Sequence, residues 1–292
     1  MFMKYYYCLF FIVINYGVFA QTSIKVDSTH LGLAFATIYN CSSFSGTYTN
    51  SDGSFKINAN KGDTLIFSCV GYYSDTIIFE GTLKQDILLQ RKIYDIGEVT
   101  HRIHVNSKVK EYGFRKEKDQ TTFYSHIGSE WVVFIKNDEP GNKKVLKSVV
   151  LKTKAKHGKN IAYRIHIYDK DSITSLPGKE LLALPVFNSK THKGKRYDIN
   201  QYMPMPKAGV FVGIEWISYL NKKGHNSKNS DDIALSVPLT FGVKKTYSYY
   251  RSNFYDNTWK LSEKNHPLSQ ILNKSNPPNL AASIVVEEYI FK

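Results

Sequence analysis

Apolar and polar residues alternate along this chain in short runs, broken by turn-forming residues roughly every eight to twelve positions. A period of two sends successive side chains to opposite faces of a strand, so the pattern predicts many short strands and almost no helix. In the first part of the chain the alternation is clear at Phe55, Ile57 and Ala59, at Leu65, Phe67 and Cys69, at Ile77 and Phe79, and at Ile87 and Leu89. Lys56, Asn58, Ser68 and Asp86 fall on the side left to water.

Longer strands are predicted further on, over 129–136, 147–153, 161–169, 209–219, 246–251 and 282–291. Tyr163, Ile165 and Ile167 share one face of their strand and Arg164 and His166 the other, whereas 210–217 is apolar on both faces, as a central strand covered on both sides would be. Short helical turns are expected only at 178–184 and 268–273. Chains of this kind build sandwiches or barrels. The expected fold class is all-β, with two β-sandwich domains, the second jelly-roll-like.

Between the two lies a segment, 93–120, in which apolar content falls and Arg102, Lys108, Lys110, Arg115, Lys116 and Lys118 accumulate. It reads as a basic linker, either a tether or a strand pair laid across the junction; Ile93, Ile96, Val99, Ile103 and Val105 leave the second form open. The second domain is placed at 121–292. At the N-terminus, Lys4 precedes an apolar run to Phe19, and Val18-Phe19-Ala20 stands ahead of Gln21. Residues 1–20 therefore read as a cleavable secretory signal, too short an apolar run for the roughly 20 residues of a spanning helix. No transmembrane span is expected after cleavage, and the mature chain is expected in the periplasm, at the outer membrane or on the cell surface.

Export changes how the charge is read. The formal net charge is +14. In the cytoplasm that would suggest nucleic acid; in an exported chain with lysines scattered through turns it points to envelope glycan, to an envelope protein or to plain loop solvation, and nucleic acid is not an expected partner. Cys41 and Cys69 remain after cleavage, and an oxidising compartment permits a bridge between them, while two buried thiols are the other reading.

The stretch 46–72 carries two signatures. One is Gly46-Thr47 with Thr49, Asp52-Gly53 and Phe55; the other is Gly62-Asp63, Leu65-Ile66-Phe67-Ser68 and Gly71-Tyr72. With 34–39 as an early strand, 87–89 as a closing strand and Ile96, Glu98 and Val99 beyond it, residues 24–100 resemble the carboxypeptidase-regulatory-like domain common in exported proteins of Bacteroidota. The resemblance implies a transthyretin-like (prealbumin-like) sandwich over 21–92. It implies no peptidase activity, since such domains accompany separate zinc catalytic domains and no zinc-peptidase motif follows here. Nor are the remaining residues, about 190, enough for a receptor plug and a large barrel. They resemble the uncharacterised β-sandwich that often follows this domain, with 211–217 as the best-matching segment.

Candidate chemistry is sparse. Asn50-Ser51-Asp52-Gly53-Ser54 has the oxygen spacing of a calcium loop but runs into a strand without a later bidentate acid, so a turn is expected. Glu130-Trp131 and Glu215-Trp216 sit in apolar strands; were those strands neighbours, the carboxylates would converge as acid and nucleophile for glycoside cleavage, or pair with cations on a sheet face. Tyr249, Tyr250, Arg251, Tyr255 and Trp259 combine rings with polar groups as a sugar-binding face does, and equally as a hairpin feeding the core does. His101 and His104 would point to opposite faces of a strand, and no metal site and no cofactor is expected. The reading of the whole is an exported, non-catalytic envelope or surface protein that binds glycan or a protein partner, with a polysaccharide hydrolase using Glu130 and Glu215 as the alternative.

Overall fold

The computed structural model describes residues 23–26, 29–83, 86–92, 106–140, 143–155, 160–188, 196–220, 233–252 and 256–289. The segment read as a signal, the histidines at 101 and 104 and Tyr255 lie outside the described residues. In chain order the first unit contains β1 (Ser23–Val26), β2 (Thr37–Asn40), β3 (Ser45–Tyr48), β4 (Thr64–Ser68), β5 (Asp75–Ile78) and β6 (Asp86–Leu89). An antiparallel sheet in the order β3-β2-β4-β5 faces the parallel pair β1-β6. The alternating residues anticipated from the pattern meet between them: Ile24, Ile38, Leu65, Phe67, Ile87 and Leu89 are buried, with Phe55 edge-on to Phe67 at 5.9 Å.

The turn before Phe55 shows why glycine stands at 53. The Gly53 amide donates to the Asn50 carbonyl at 3.1 Å, the Ser54 amide donates to Asp52 Oδ1 at 2.9 Å, and Gly53 takes φ +82°. A Cβ there would lie 2.5 Å from the Ile24 carbonyl oxygen, so the turn is also where β1 crosses closest. The expected turn is present, and its aspartate is occupied with Ser54. Phe55, Ile57 and Ala59 do alternate with exposed neighbours, but they lie in extended chain outside any strand.

The second unit comprises β7 (Ser107–Gly113), β8 (Gln120–His126), β9 (Ser129–Lys136), β10 (Lys143–Val150), β11 (Lys154–Ala155), β12 (Ile161–Lys170), β13 (Pro177–Ala183), β14 (Phe187–Asn188), β15 (Arg196–Asp198), β16 (Gly209–Tyr219), β17 (Ile233–Thr240), β18 (Ser248–Ser252) and β19 (Asp256–Leu261). The single described helix, α1 (Pro267–Ile271), and the strands β20 (Asn279–Leu280) and β21 (Ser283–Tyr289) complete it. A seven-stranded sheet ordered β13-β12-β16-β9-β18-β19, with β14 also on β12, forms one layer. Opposite it stand β15-β10-β21-β7 and the shorter sheet of β11, β17, β20 and β8. Ile165, Ile214, Trp216 and Val133 from the large sheet pack against Leu146, Ile284 and Leu239 from the other layer. Both units are thus β-sandwiches and the fold is all-β.

β16 is buried along its whole length between β12 and β9, as its two-sided apolarity requires. Two expectations need correction. Residues 178–184 do not form a helical turn: all but Leu184 belong to β13, because Leu182 and Glu180 pair with Ile167 and Tyr168 on the open edge of β12. That tertiary demand overrides the local helical preference. Cys41 and Cys69 are free thiols, not a bridge. The antiparallel register of β2 and β4 sets Asn40 opposite Leu65 and Thr37 opposite Ser68, which puts the two cysteines at opposite ends of the pair, roughly 16 Å apart at 3.3 Å per residue. Within the stretch read as a linker, 107–113 is β7, laid along β21 as a sheet edge. At 268–273 the expected helical turn is present as α1, with a proline in its first turn and His266 as its cap.

The two units touch. Tyr48, at the end of β3, and Phe35 pack against Ala162, Ile217 and Leu220 on the outer face of the large sheet. The Arg164 guanidinium donates to the Phe35 carbonyl at 3.4 Å. No described helix is long and apolar enough to cross a membrane.

Candidate functional site

Strands β9 and β18 carry a different kind of chemistry on each face, and both kinds are placed by register. On the outer face, Arg251 stands opposite Glu130, Glu130 opposite Glu215, and Glu215 opposite Arg164. The row crosses four strands with charges ordered plus, minus, minus, plus. Two like charges side by side repel, and here each carboxylate has its own partners. Glu130 accepts from the Arg251 guanidinium at 2.8 and 2.9 Å and from the Tyr168 hydroxyl at 2.7 Å. Glu215 accepts from the Tyr48 hydroxyl at 2.6 Å and from His166 Nε2 at 3.0 Å, with Arg164 at 3.6 Å. His166 Nδ1 reaches Glu180 at 2.5 Å.

Space for these groups exists because position 213 has no side chain. A Cβ on Gly213 would fall 2.5 Å from Val132 Cγ1 and 3.2 Å from Glu130 Oε1. The electrostatics follow from burial and pairing. Burial pushes the His166 imidazole down, but the Glu130 charge and the bonds to Glu180 and Glu215 outweigh it and lift the group to about 10. Burial would raise Glu215, yet the His166 bond and charge, Arg164 and Tyr48 bring it to about 2. At neutral pH His166 is an imidazolium donating from both nitrogens, and Glu215 is a carboxylate.

A sign follows for stability. The Glu215 contribution is full above pH 4.5 and is lost as pH falls toward about 2; the His166 contribution is full below pH 6.5 and is lost as pH rises toward about 10. Thermal unfolding followed by circular dichroism is expected to give a plateau between pH 4.5 and 6.5 and a falling Tm on either side. His166→Gln is expected to remove much of the alkaline slope. A wild-type Tm that stays level from pH 6.5 to 10 would contradict this assignment.

The inner face of the same strands borders a cleft of about 560 Å³ lined by residues of β8, β9, β18 and β19 and by His266. Register again makes the row: Trp131 is opposite Tyr250, and Tyr250 opposite Lys260. The Trp131 and Tyr250 rings stack at 5.1 Å and 22°, with Phe123 at 6.3 Å from Trp131. His266 stands edge-on to both, 5.7 Å from Trp131 and 5.1 Å from Tyr250. Its Nδ1 accepts from the Leu268 amide at 3.2 Å, and burial pushes its pKa down, so the neutral ring carries its proton on Nε2. His126, Ser125, Ser129 and Ser252 complete the wall. The Ser125 and Ser129 hydroxyls bond each other, and Ser129 also bonds the His126 carbonyl.

The residues singled out in the sequence are thereby divided. Glu130 and Glu215 come together across neighbouring strands, both closed to solvent at 0% and 3% exposure. Tyr250 faces the cleft. Tyr249 and Trp259 pack on the outer face with Phe211, Phe134 and Tyr168, and the Arg251 guanidinium lies 4.3 Å over Trp259, although Arg251 also borders the cleft. Phe123, His126, Lys260 and His266 were not anticipated as site residues, and Trp131 was singled out only beside Glu130. For Trp131 the signal was present: it alternates with Val133 and Ile135, which fixes it on the inner face. Burial raises the pKa of the Cys69 thiol, which makes it a poor nucleophile. Among the described residues no group of three or more His, Cys, Asp or Glu side chains is arranged to hold a metal ion.

The molecule is therefore an all-β protein with a sandwich unit docked on the buried-charge face of a larger sandwich that carries a cleft. Residues 23–101 match the model of the CarboxypepD_reg-like domain family, which agrees with the resemblance read over 24–100. No curated protein matches the chain. Among solved structures the chain is similar to one described as the structure of infectious bursal disease virus Gx strain, at 9% identity and a TM-score of 0.23, covering 93% of this chain and 59% of that one. The chain thus spans less than two thirds of that viral chain, and so low a TM-score bears on neither fold nor function.

Proposed function

We propose that the protein is exported and non-catalytic and that it binds glycan at the cell envelope in the cleft beside Trp131 and Tyr250. The observation that carries this reading is the row Trp131-Tyr250-Lys260, an aromatic wall running into a polar rim on one strand register. Apolar sugar faces rest on rings while hydroxyls bond the polar groups around them. The cleft volume of about 560 Å³ lies in the range of small-ligand sites. The apolar run before Gln21 supports export, to the periplasm, the outer membrane or the surface.

The hydrolase reading requires Glu130 and Glu215 to reach a sugar, one of them as a protonated acid. Burial of both carboxylates and the low pKa of Glu215 favour a binding role over that chemistry. Calorimetric titration of the chain from Gln21 onward against neutral and acidic oligosaccharides is expected to find a ligand with Kd between about 1 μM and 1 mM. Absence of heat and of any retention by the whole panel would overturn the glycan reading.

A further inference from the structure

Hydrogen-bond roles in the cleft wall narrow the ligand class. His266 Nδ1 accepts from the Leu268 amide of α1, so Nε2 carries the proton of the neutral ring, and among the described residues Nε2 has no hydrogen-bond partner. The wall therefore holds an oriented neutral donor beside the Trp131 and Tyr250 rings. Ser125 and Ser129 supply the opposite role. Ser129 donates to the His126 carbonyl, so the bond between the two hydroxyls uses the Ser125 proton, and the pair has only lone pairs left to offer. The third feature is apolar: Phe123 is tilted 60° to Trp131, and the two rings form a corner next to the stack with Tyr250.

A donor, an acceptor and an apolar corner match the carbonyl, the N–H and the methyl of an acetamide group. A plain sugar hydroxyl would use the donor or the acceptor and find nothing to bond at the rings, and a free amine would bring a cation to a lining that holds no carboxylate. We propose that the ligand is a saccharide containing an N-acetylated amino sugar: its acetamide carbonyl accepts from His266 Nε2, its N–H donates to the Ser125–Ser129 pair, and its methyl fills the corner of Phe123 and Trp131 while the sugar ring rests on Tyr250. This rests on the glycan reading above and adds the sugar's substituent to it, with His266 as the residue that sets specificity.

The test uses the chain from Gln21 onward in calorimetric titrations against matched pairs that differ only in that substituent: oligomers of N-acetylglucosamine beside glucose oligomers of the same linkage, and methyl glycosides of N-acetylgalactosamine beside those of galactose. In at least one pair the acetylated member is expected to bind about ten or more times tighter. His266→Asn keeps a capping oxygen for α1, since asparagine is a favoured cap, but its shorter side chain places no donor where Nε2 stood. It is expected to bring the ratio below about three by weakening the acetylated member alone. Equal weakening of both members, or a ratio that survives intact in the folded variant, would overturn the assignment to His266. Equal binding of both members by the wild type would overturn the acetamide proposal and leave the glycan reading standing. Binding of neither member of any pair would overturn the proposal, and the neutral and acidic panel above then decides the glycan reading.

Discussion

Glu215→Ala is expected to destabilise the protein by about 3–5 kcal/mol, the cost of leaving buried cations without their counter-charge. The substitution removes the acceptor of Tyr48, the Nε2 partner of His166 and the carboxylate beside Arg164 in one step. Arg164 and His166 are 7% and 5% exposed, so water cannot replace what is lost. Urea unfolding measures the effect, and a change below about 1 kcal/mol, the range of exposed pairs, would show that the row is solvated. Tyr48→Phe tests the same carboxylate from the other unit. It deletes the hydroxyl and with it the bond to a charged acceptor, and is expected to cost about 1.5–3 kcal/mol. Because Tyr48 and Glu215 share one bond across the two sandwiches, the double variant is expected to cost less than the sum of the singles. Additivity would mean that the first unit docks independently of the charged row.

Tyr250→Ala is expected to lower saccharide affinity at least tenfold, about 1.4 kcal/mol, with the fold retained. Its ring is only half-buried, in a strand near the edge of the large sheet, and the stack with Trp131 is the wall against which a sugar would rest. Trp131→Ala makes the contrast. At 4% exposure this side chain belongs to the core as much as to the cleft, and its loss is expected to cost about 3–5 kcal/mol of stability together with binding. Calorimetry and unfolding on the same samples separate the two outcomes. Unchanged affinity in a folded Tyr250→Ala protein would place the ligand elsewhere.

Much of the frame was legible because it is written in local alternation. Tyr163, Ile165 and Ile167 against Arg164 and His166, the two-sided apolarity of 210–217, and the Asp52-Gly53 turn each follow from nearest neighbours in sequence. The first unit was also legible through motifs that combine turn glycines with a buried strand. What alternation cannot supply is which strand lies beside which. Glu130 and Glu215 each sit next to a tryptophan in an apolar run, and only the pairing of β9 with β16 sets them side by side. That pairing also recruits Arg164, Arg251 and Tyr48 from three other strands, one of them in the other unit. The cleft shows the same limit. Tyr249 and Tyr250 are adjacent in sequence and so face opposite ways, and the partner of Tyr250 in the cleft, Lys260, is revealed only by the β18-β19 register. Residues 178–184 read as helical in isolation, and all but the last became strand because β12 had an open edge to fill.

The three tryptophans offer the most direct test of where the ligand binds. Trp131 borders the cleft, Trp216 is sealed in the core with its indole N–H 3.3 Å from the Ser218 carbonyl, and Trp259 lies on the outer face under Arg251. Their indole N–H signals in a 15N-labelled sample can be followed during titration with an oligosaccharide that binds. The Trp131 signal is expected to move with saturation while those of Trp216 and Trp259 stay in place. Movement of the Trp259 signal with Trp131 unmoved would put the saccharide on the opposite face of the sheet and contradict the cleft as the site.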